Sequence, residues 1–495
     1  VLPPAARAAL GTAVGAAHVA ADRASRIHHA CGRGYLDLVR IRRGDATGAP
    51  DGVVRPATHD EVLAVLRACD EHRVAVVPFG GGTSVVGGVA PAAGGHRAVV
   101  ALDLRRMSRL VSVDRTALTA TFEPGMRGPE AERLLGAVDL TLGHFPQSYR
   151  FATLGGYAAT RSVGQASSGY GGFADLVEGL RVATPAGSLD LGRAPATAAG
   201  PDLRALLVGS EGTLGVLTEL TLRVRPAPEA RLYEGWSFPT FEAGRTALRQ
   251  LAQAGAPGAL PDVARLSDAE ETRTTLALSS GGATRLLRSY LARRGHARGS
   301  LLITGWEGAA RHVAGRRAAA GQLLRDAGGL RLGQRVGRTW EKGRFDGPTL
   351  RDGLLDAGAL VETLETATSW SGLGTLYGAV RAALHASLSA HGTPPLVLCH
   401  LSHVYPSGAS VYFTVVAVRD DAAPEVQWHA AKRAAGDAIA AHRATITHHH
   451  AVGVAHLPWM RDEIGDLGIA ALRAVKQRLD PNGVLNPGKL IPPGS

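Results

Sequence analysis

Cysteine is almost missing from these 495 residues: Cys31, Cys69 and Cys399 stand far apart, with neither CxxC spacing nor the even count of a disulfide framework. A disulfide-stapled secreted module is thereby excluded, and a reducing cytoplasm fits best. Lysine is nearly as rare, at Lys342, Lys432, Lys476 and Lys489 only, so the net charge of +11 is almost wholly arginine. The arginines are scattered, and no basic run is interleaved with aromatics, which sets nucleic acid aside as a partner. Their excess reflects either coding bias or a preference for anionic substrates, phosphates or membrane surfaces. Long apolar runs are absent too, and no signal-peptide pattern opens the chain, so neither a membrane span nor secretion is expected. What is present, 45% apolar and 20% charged residues, suffices for a sizeable core, and the length points to two domains.

The organisation is that of alternating helices and strands. The alanine-rich start reads as an N-terminal helical extension, residues 1–48. EVLAVLRACDEH sets Val62, Val65, Leu66 and Cys69 on one helical face, and VAVVPFG is a buried strand running into a glycine turn. Short strands follow in HRAVVALDLRRM, RLVSVDRTALTATFEPG, LRVATPAGSLDL and GTLGVLTELTLRVRP, with a helix from Gly128 to Leu135 and a boundary at Pro226 or Pro228. Residues 227–445 combine alanine-rich helices with strands such as SVYFTVVAV. In the tail, Ile464, Leu467, Ala471, Val475 and Leu479 keep helical spacing until Pro481.

The segment VVPFGGGTSVVGG sets Gly80, Gly81 and Gly82 directly after an apolar strand and before Thr83 and Ser84. Consecutive glycines permit positive φ and let successive N–H groups converge on one ligand, such as a pyrophosphate. The pattern is neither Walker A nor GxGxxG, and alone it is equally a simple turn. Two further stretches rich in glycine and hydroxyls, FPQSYRFATLGGYAATRSVGQASSGYGG and VGSEGTLGVLTEL, alternate with strands. One large phosphate-bearing cofactor held at several points, a dinucleotide, fits all three.

In order and spacing, PFGGGTS, TLGHxPxSxxFxTxGG, ATRSxG, DLVxxLxxxTPxG and SEGTLGVxT resemble the FAD-binding domain of the vanillyl-alcohol-oxidase (PCMH-type) superfamily. Within it, the chain is most similar to the alkyldihydroxyacetonephosphate synthase-like flavoproteins, from about residue 50 to 491. The resemblance implies an α+β fold: a two-subdomain PCMH-type FAD-binding domain over 49–226, an α+β cap or substrate-binding domain over 227–445, and a C-terminal segment, 446–495, returning to complete the flavin site. It implies FAD contacts from Pro78, Phe79, Gly80, Gly81, Gly82, Thr83 and Ser84. The second loop would add Gln147, Ser148, Thr153, Gly155 and Gly156, then Thr160, Arg161, Ser162 and Val163. The third would add Glu211, Gly212, Thr213, Gly215 and Val216. Gln147 departs from the acidic residue usual at that place. Because Phe79 to Ser84 holds no histidine or cysteine, FAD is expected to be non-covalent.

CHLSHVYPSGASVYF brings His400, His403 and Tyr405 close to a strand, and ATITHHHAVG presents His448, His449 and His450 at the end of another. On a strand, His448 and His450 would share a face and His449 would point away. Three adjacent histidines cannot form the i, i+4 zinc pair, and no carboxylate or cysteine signature accompanies them, so no metal is expected. They are either a neutral structural cluster or, with Tyr405, groups that exchange protons near neutral pH. The resemblance assigns acid/base chemistry to Tyr405, requires His448, His449 and His450, and gives substrate-binding roles to Arg265 in VARLSDAEE and Arg351 in TLRDGLLD. Arginine's planar fork suits a phosphate or carboxylate. The implied reaction exchanges the acyl group of an acyl-dihydroxyacetone phosphate, or a similar lipid-bearing anion, for an alkyl group through a flavin N5 adduct, with no net redox change. Its competitor on the same fold is an FAD-dependent dehydrogenase or oxidase of a 2-hydroxy acid or other alcohol. A non-catalytic FAD-binding protein is a third reading. A homodimer and peripheral contact with a membrane accompany the resemblance.

Overall fold

The computed structural model describes residues 1–254, 259–278 and 282–493. They group into two compact units, one made of Val1–Val163, Gly172–Arg225 and the chain from His449 on, the other of Gly164–Gly171 and Pro226–His448. Gly164–Gly171, inside the stretch read from the sequence as flavin domain, thus groups with the second unit, and the HHH run is divided after His448.

The first unit is built on two sheets. Strands Gly52–Val54, Ala98–Asp103 and Val74–Phe79 lie parallel in that order, and Val19–Ala20 joins the edge antiparallel. A parallel sheet covered on both faces needs near-continuous apolar strands, and Val74–Val77 and Ala98–Leu102 are all buried. The helix His59–His72 starts where the Thr58 hydroxyl accepts from Glu61 N. It shares a core with Leu2, Ala6, Leu10 and Val14, so the N-terminal helix Pro4–Val14 is an integral part of this layer. The second sheet is antiparallel, in the order Leu110–Asp114, Thr119–Phe122, Val216–Arg223, Val177–Thr184, Gly187–Leu191. Phe122, Leu180, Val182, Leu220 and Leu222 form its core with Tyr157 and Phe173.

The second unit is a seven-stranded antiparallel sheet, in the order Leu330–Gly333, Ala230–Phe238, Ser300–Gly308, Val263–Ser267, Leu396–Val404, Gly408–Val418, Ala359–Ser369. Helices Leu373–Ala390 and Pro424–Ala441 bury one face, the first through Leu373, Leu376, Val380, Leu384 and Leu388 at three- and four-residue spacing. The other face carries polar residues in register. Among the described residues no helix is long and apolar enough to cross a membrane.

Candidate functional site

The first glycine loop presses against the second so closely that only glycine fits. A Cβ on Gly80 would come within 2.3 Å of Thr153 Oγ1, one on Gly81 within 2.2 Å of the Phe151 carbonyl, and Gly82 has φ +65°. Among the described residues, the N–H groups of Gly81, Gly82, Thr83 and Ser84 donate to no protein atom. Four successive unpaired amides form the kind of concave donor set that binds an anion. The residues of this first loop therefore suit the pyrophosphate of a dinucleotide. Several of the predicted cofactor residues are engaged within the protein: the Arg161 guanidinium donates to the carbonyls of Ala205 and Val208, the Thr160 and Thr213 hydroxyls donate to the carbonyls of Gly156 and Ser210, and the Ser84 hydroxyl accepts from Gly88 N at 2.9 Å.

Glu211 was expected to touch cofactor, yet its buried carboxylate accepts from Val452 N and Gly453 N at 2.8 Å each, two residues beyond the histidine run. Burial pushes its pKa up to about 7, against the pull of those two amides and of Lys489. Sequence reading missed the residues that complete this grip. Asn486, at φ +38°, donates through Nδ2 to the carbonyls of Gly88 and Glu211 at 3.1 and 2.7 Å, and its buried Oδ1 meets no donor among the described residues. Burial lowers Lys489 to about 8, opposed by Glu211. The NPGK stretch near Pro481 was the available signal. His144 was also passed over: it lies between Tyr157 and Phe173, its Nε2 3.1 Å from Ser162 Oγ. Burial, reinforced by His449, lowers its pKa to about 3, so it is neutral.

In the second unit, Glu365, Tyr412, His400 and Ser267 stand opposite one another across four strands, and Arg265 lies two residues along on the same face. Arg265 Nη2 donates to Glu271 Oε1 at 2.8 Å and contacts His400 Nδ1 at 3.1 Å. Burial alone would raise the Glu271 pKa, but Arg265 and His400 hold it down to about 2. The His400 ring stacks on Tyr412 at 4.7 Å; burial pushes the Tyr412 hydroxyl pKa well up, and Arg351, on the helix Gly347–Asp356, pulls weakly the other way. Arg265 thus contacts the His400–Tyr412 pair directly, through His400 Nδ1.

Strict alternation would turn His403 to the helix-covered face with Cys399 and Leu401. A bulge between Ser402 and Val404, with His403 at φ +51°, turns it towards Glu365 instead. His403 Nδ1 lies 2.7 Å from Ser167 Oγ and its Nε2 3.7 Å from Glu365 Oε1. His448 Nδ1 lies 3.7 Å from the same oxygen, and its Nε2 is hydrogen-bonded to the Tyr405 hydroxyl at 2.8 Å. Tyr405 is 39% exposed, whereas Glu365 and His403 are buried.

The expected strand beneath the histidine run is not formed. Thr445 makes one isolated bridge to Ala367, the Thr366 hydroxyl takes the Thr445 carbonyl at 2.6 Å, and His448, His449 and His450 follow in bends. His448 N still donates to the Glu365 carbonyl at 3.3 Å, but the run forms no regular strand, so the two-face alternation of these histidines does not apply, and His449 and His450 meet edge to face, 5.0 Å apart.

Residues 50–191 match the family described as FAD binding domain, and residues 227–490 match FAD linked oxidases, C-terminal domain. Alkyldihydroxyacetonephosphate synthase of Dictyostelium discoideum is 34% identical over 480 residues, covering 95% of this chain and 78% of the relative. The synthase of Trypanosoma brucei brucei is 34% identical over 483 residues with the same coverage. A solved structure of alkyldihydroxyacetonephosphate synthase superposes with a TM-score of 0.84 at 31% identity, covering 99% of this chain and 86% of the other.

Proposed function

Since this chain belongs to the FAD-linked oxidase family, on its alkyldihydroxyacetonephosphate synthase branch, we propose that this FAD-dependent enzyme exchanges the acyl group of an acyl-dihydroxyacetone phosphate for a fatty alcohol. The observation that carries the reading is the 2.8 Å hydrogen bond between the exposed Tyr405 hydroxyl and His448 Nε2. A phenol that substrate can reach, backed by an imidazole that can take its proton, is a working acid/base pair at neutral pH. Bound FAD supplies an electron-accepting ring. Arg265 and Arg351 grip the phosphate; Arg265 leaves Nε without a protein partner among the described residues. Glu211 and Asn486 fix the backbone that follows His449 and His450.

The FAD is held non-covalently. His29 has both ring nitrogens engaged, by Ser25 O and Asp103, and burial with Asp37 pushes the Cys31 thiol up to about 11, which leaves it a poor nucleophile. The lipid-bearing substrate brings the enzyme to a membrane surface as a peripheral protein, and the working form is a homodimer in the cytoplasm. Helix Gly282–Arg293 supports the membrane contact: Leu286 and Tyr290 are 74% and 46% exposed on one face, flanked by exposed Arg285, Arg288 and Arg293.

The test is anaerobic. Purified holoenzyme is given an acyl-dihydroxyacetone phosphate with a fatty alcohol, and separately a panel of 2-hydroxy acids, while product and flavin absorbance are followed. Ether product without net flavin bleaching is expected. Bleaching by a hydroxy acid with no ether product would sink the transferase reading and make the enzyme a dehydrogenase or oxidase.

A further inference from the structure

We propose that Glu365, His403 and His448 form a zinc site whose occupation silences Tyr405. Residues from three separate stretches converge here: His403 Nε2 and His448 Nδ1 each lie 3.7 Å from the same atom, Glu365 Oε1, in a group whose ligand atoms all fall within 4.8 Å of one another. That spacing is too long for a hydrogen bond. It is close to the spacing of two ligands on one ion, because bonds of about 2.1 Å in tetrahedral array put neighbouring ligand atoms roughly 3.4 Å apart. The other nitrogen of each imidazole is already held by a hydroxyl, His403 Nδ1 by Ser167 at 2.7 Å and His448 Nε2 by Tyr405 at 2.8 Å. Metal-bound histidines nearly always have such an outer partner, which fixes ring orientation and tautomer. The two rings stand almost parallel, 5.2 Å apart at 16°. Two imidazoles and one carboxylate suit Zn2+ and leave a fourth position open. The sequence suggested no metal because no carboxylate neighbours the histidines; Glu365 arrives from the strand Ala359–Ser369.

The inhibitory consequence rests on the acid/base reading of Tyr405. A neutral imidazole coordinated through Nδ1 keeps its proton on Nε2 and can only donate towards the Tyr405 oxygen. Tyr405 then cannot pass its proton to His448, so zinc-loaded enzyme is inactive and chelation restores it.

Holoenzyme treated with EDTA and desalted is titrated with Zn2+ against a chromophoric chelator. One tight equivalent is expected, weakened at least about tenfold in both Glu365→Gln and His403→Asn, with flavin content and circular dichroism verifying that each variant is folded. Lack of a stoichiometric site in the wild type, or binding unchanged in a folded variant of either kind, overturns the proposal. Activity is read separately: wild-type turnover should vanish at the zinc concentration that fills the site and return with EDTA. Full turnover with the site filled refutes the inhibition. Should metal-free enzyme turn over no substrate, the reading of Tyr405 fails, and the titration still decides the site.

Discussion

The hydroxyl of Tyr405 is the one group of the Tyr405–His448–Glu365–His403 constellation that is exposed, while the groups behind it are largely buried. Removing that oxygen alone separates chemistry from binding. Tyr405→Phe should lower kcat by about 10²- to 10⁴-fold, the usual worth of a positioned acid/base, with FAD content unchanged by its absorbance; a smaller loss would move the proton transfer to another group. His144 offers a second handle at this scale. Its folded pKa of about 3 lies below the unfolded value, so its contribution is present above about pH 6.5 and is lost as acid protonates the unfolded chain first. Between pH 6.5 and 5.5, the wild type should lose about 1 kcal/mol more than His144→Gln, measured by denaturant unfolding of the apoprotein. Of these residues, Tyr405 and His448 were legible in the sequence because they sit in dense motifs. Glu365 was not, because a lone glutamate in VETLETATSW carries no local sign of the histidines it will face.

Elements were legible where one period dominated. VAVVPFG and EVLAVLRACDEH became the expected strand and helix because their apolar spacing matches a two-sided parallel strand and a one-sided helix. The bulge at His403 escaped, since a left-handed histidine inside a strand breaks the alternation without changing composition. The histidine run reads as the end of a strand because β-branched Thr445 and Ile446 precede it, whereas its pairing with Ala359–Ser369 is irregular, one bridge at Thr445 and then a single bond from His448 N to the Glu365 carbonyl. Among the elements, helix Gly282–Arg293 yields a prediction of its own. Apolar Leu286 and Tyr290 one turn apart, with arginines beside them, fit an anionic bilayer surface. The double substitution Leu286→Ser with Tyr290→Ser should reduce sedimentation with phosphatidylserine vesicles by about tenfold, an apolar loss of roughly 1.4 kcal/mol. Unchanged sedimentation would leave that helix face without a membrane role.

Across the molecule, the largest gap between sequence and structure concerns how the chain's end is used. The sequence suggested a tail that returns to the flavin domain, but no pattern in it disclosed which atoms do the holding. Val76 N donates to Val484 O and Asn486 N to Val76 O, at 2.8 Å each, so the tail continues the parallel sheet beside the strand that feeds the glycine loop. Buried Asp480 accepts from Val484 N and Leu485 N, and Lys476 ties the same carboxylate to the carbonyls of Thr213 and Leu485. Thr213 belongs to the third cofactor loop, so one carboxylate joins the tail, that loop and the last helix. Asp480→Ala leaves a buried ammonium without its counter-charge and two amides without their acceptor, a change on the order of 3 kcal/mol. Because the tail and the cofactor loops are stitched together, that loss should appear as faster release of FAD, read from the rise of free-flavin fluorescence on dilution, and as a lower melting temperature of the holoenzyme. Asp480→Asn keeps one acceptor and should fall between the two. A variant that melts early but holds its flavin as tightly as the wild type would mean that the tail supports the fold alone and leaves the cofactor loops to order themselves.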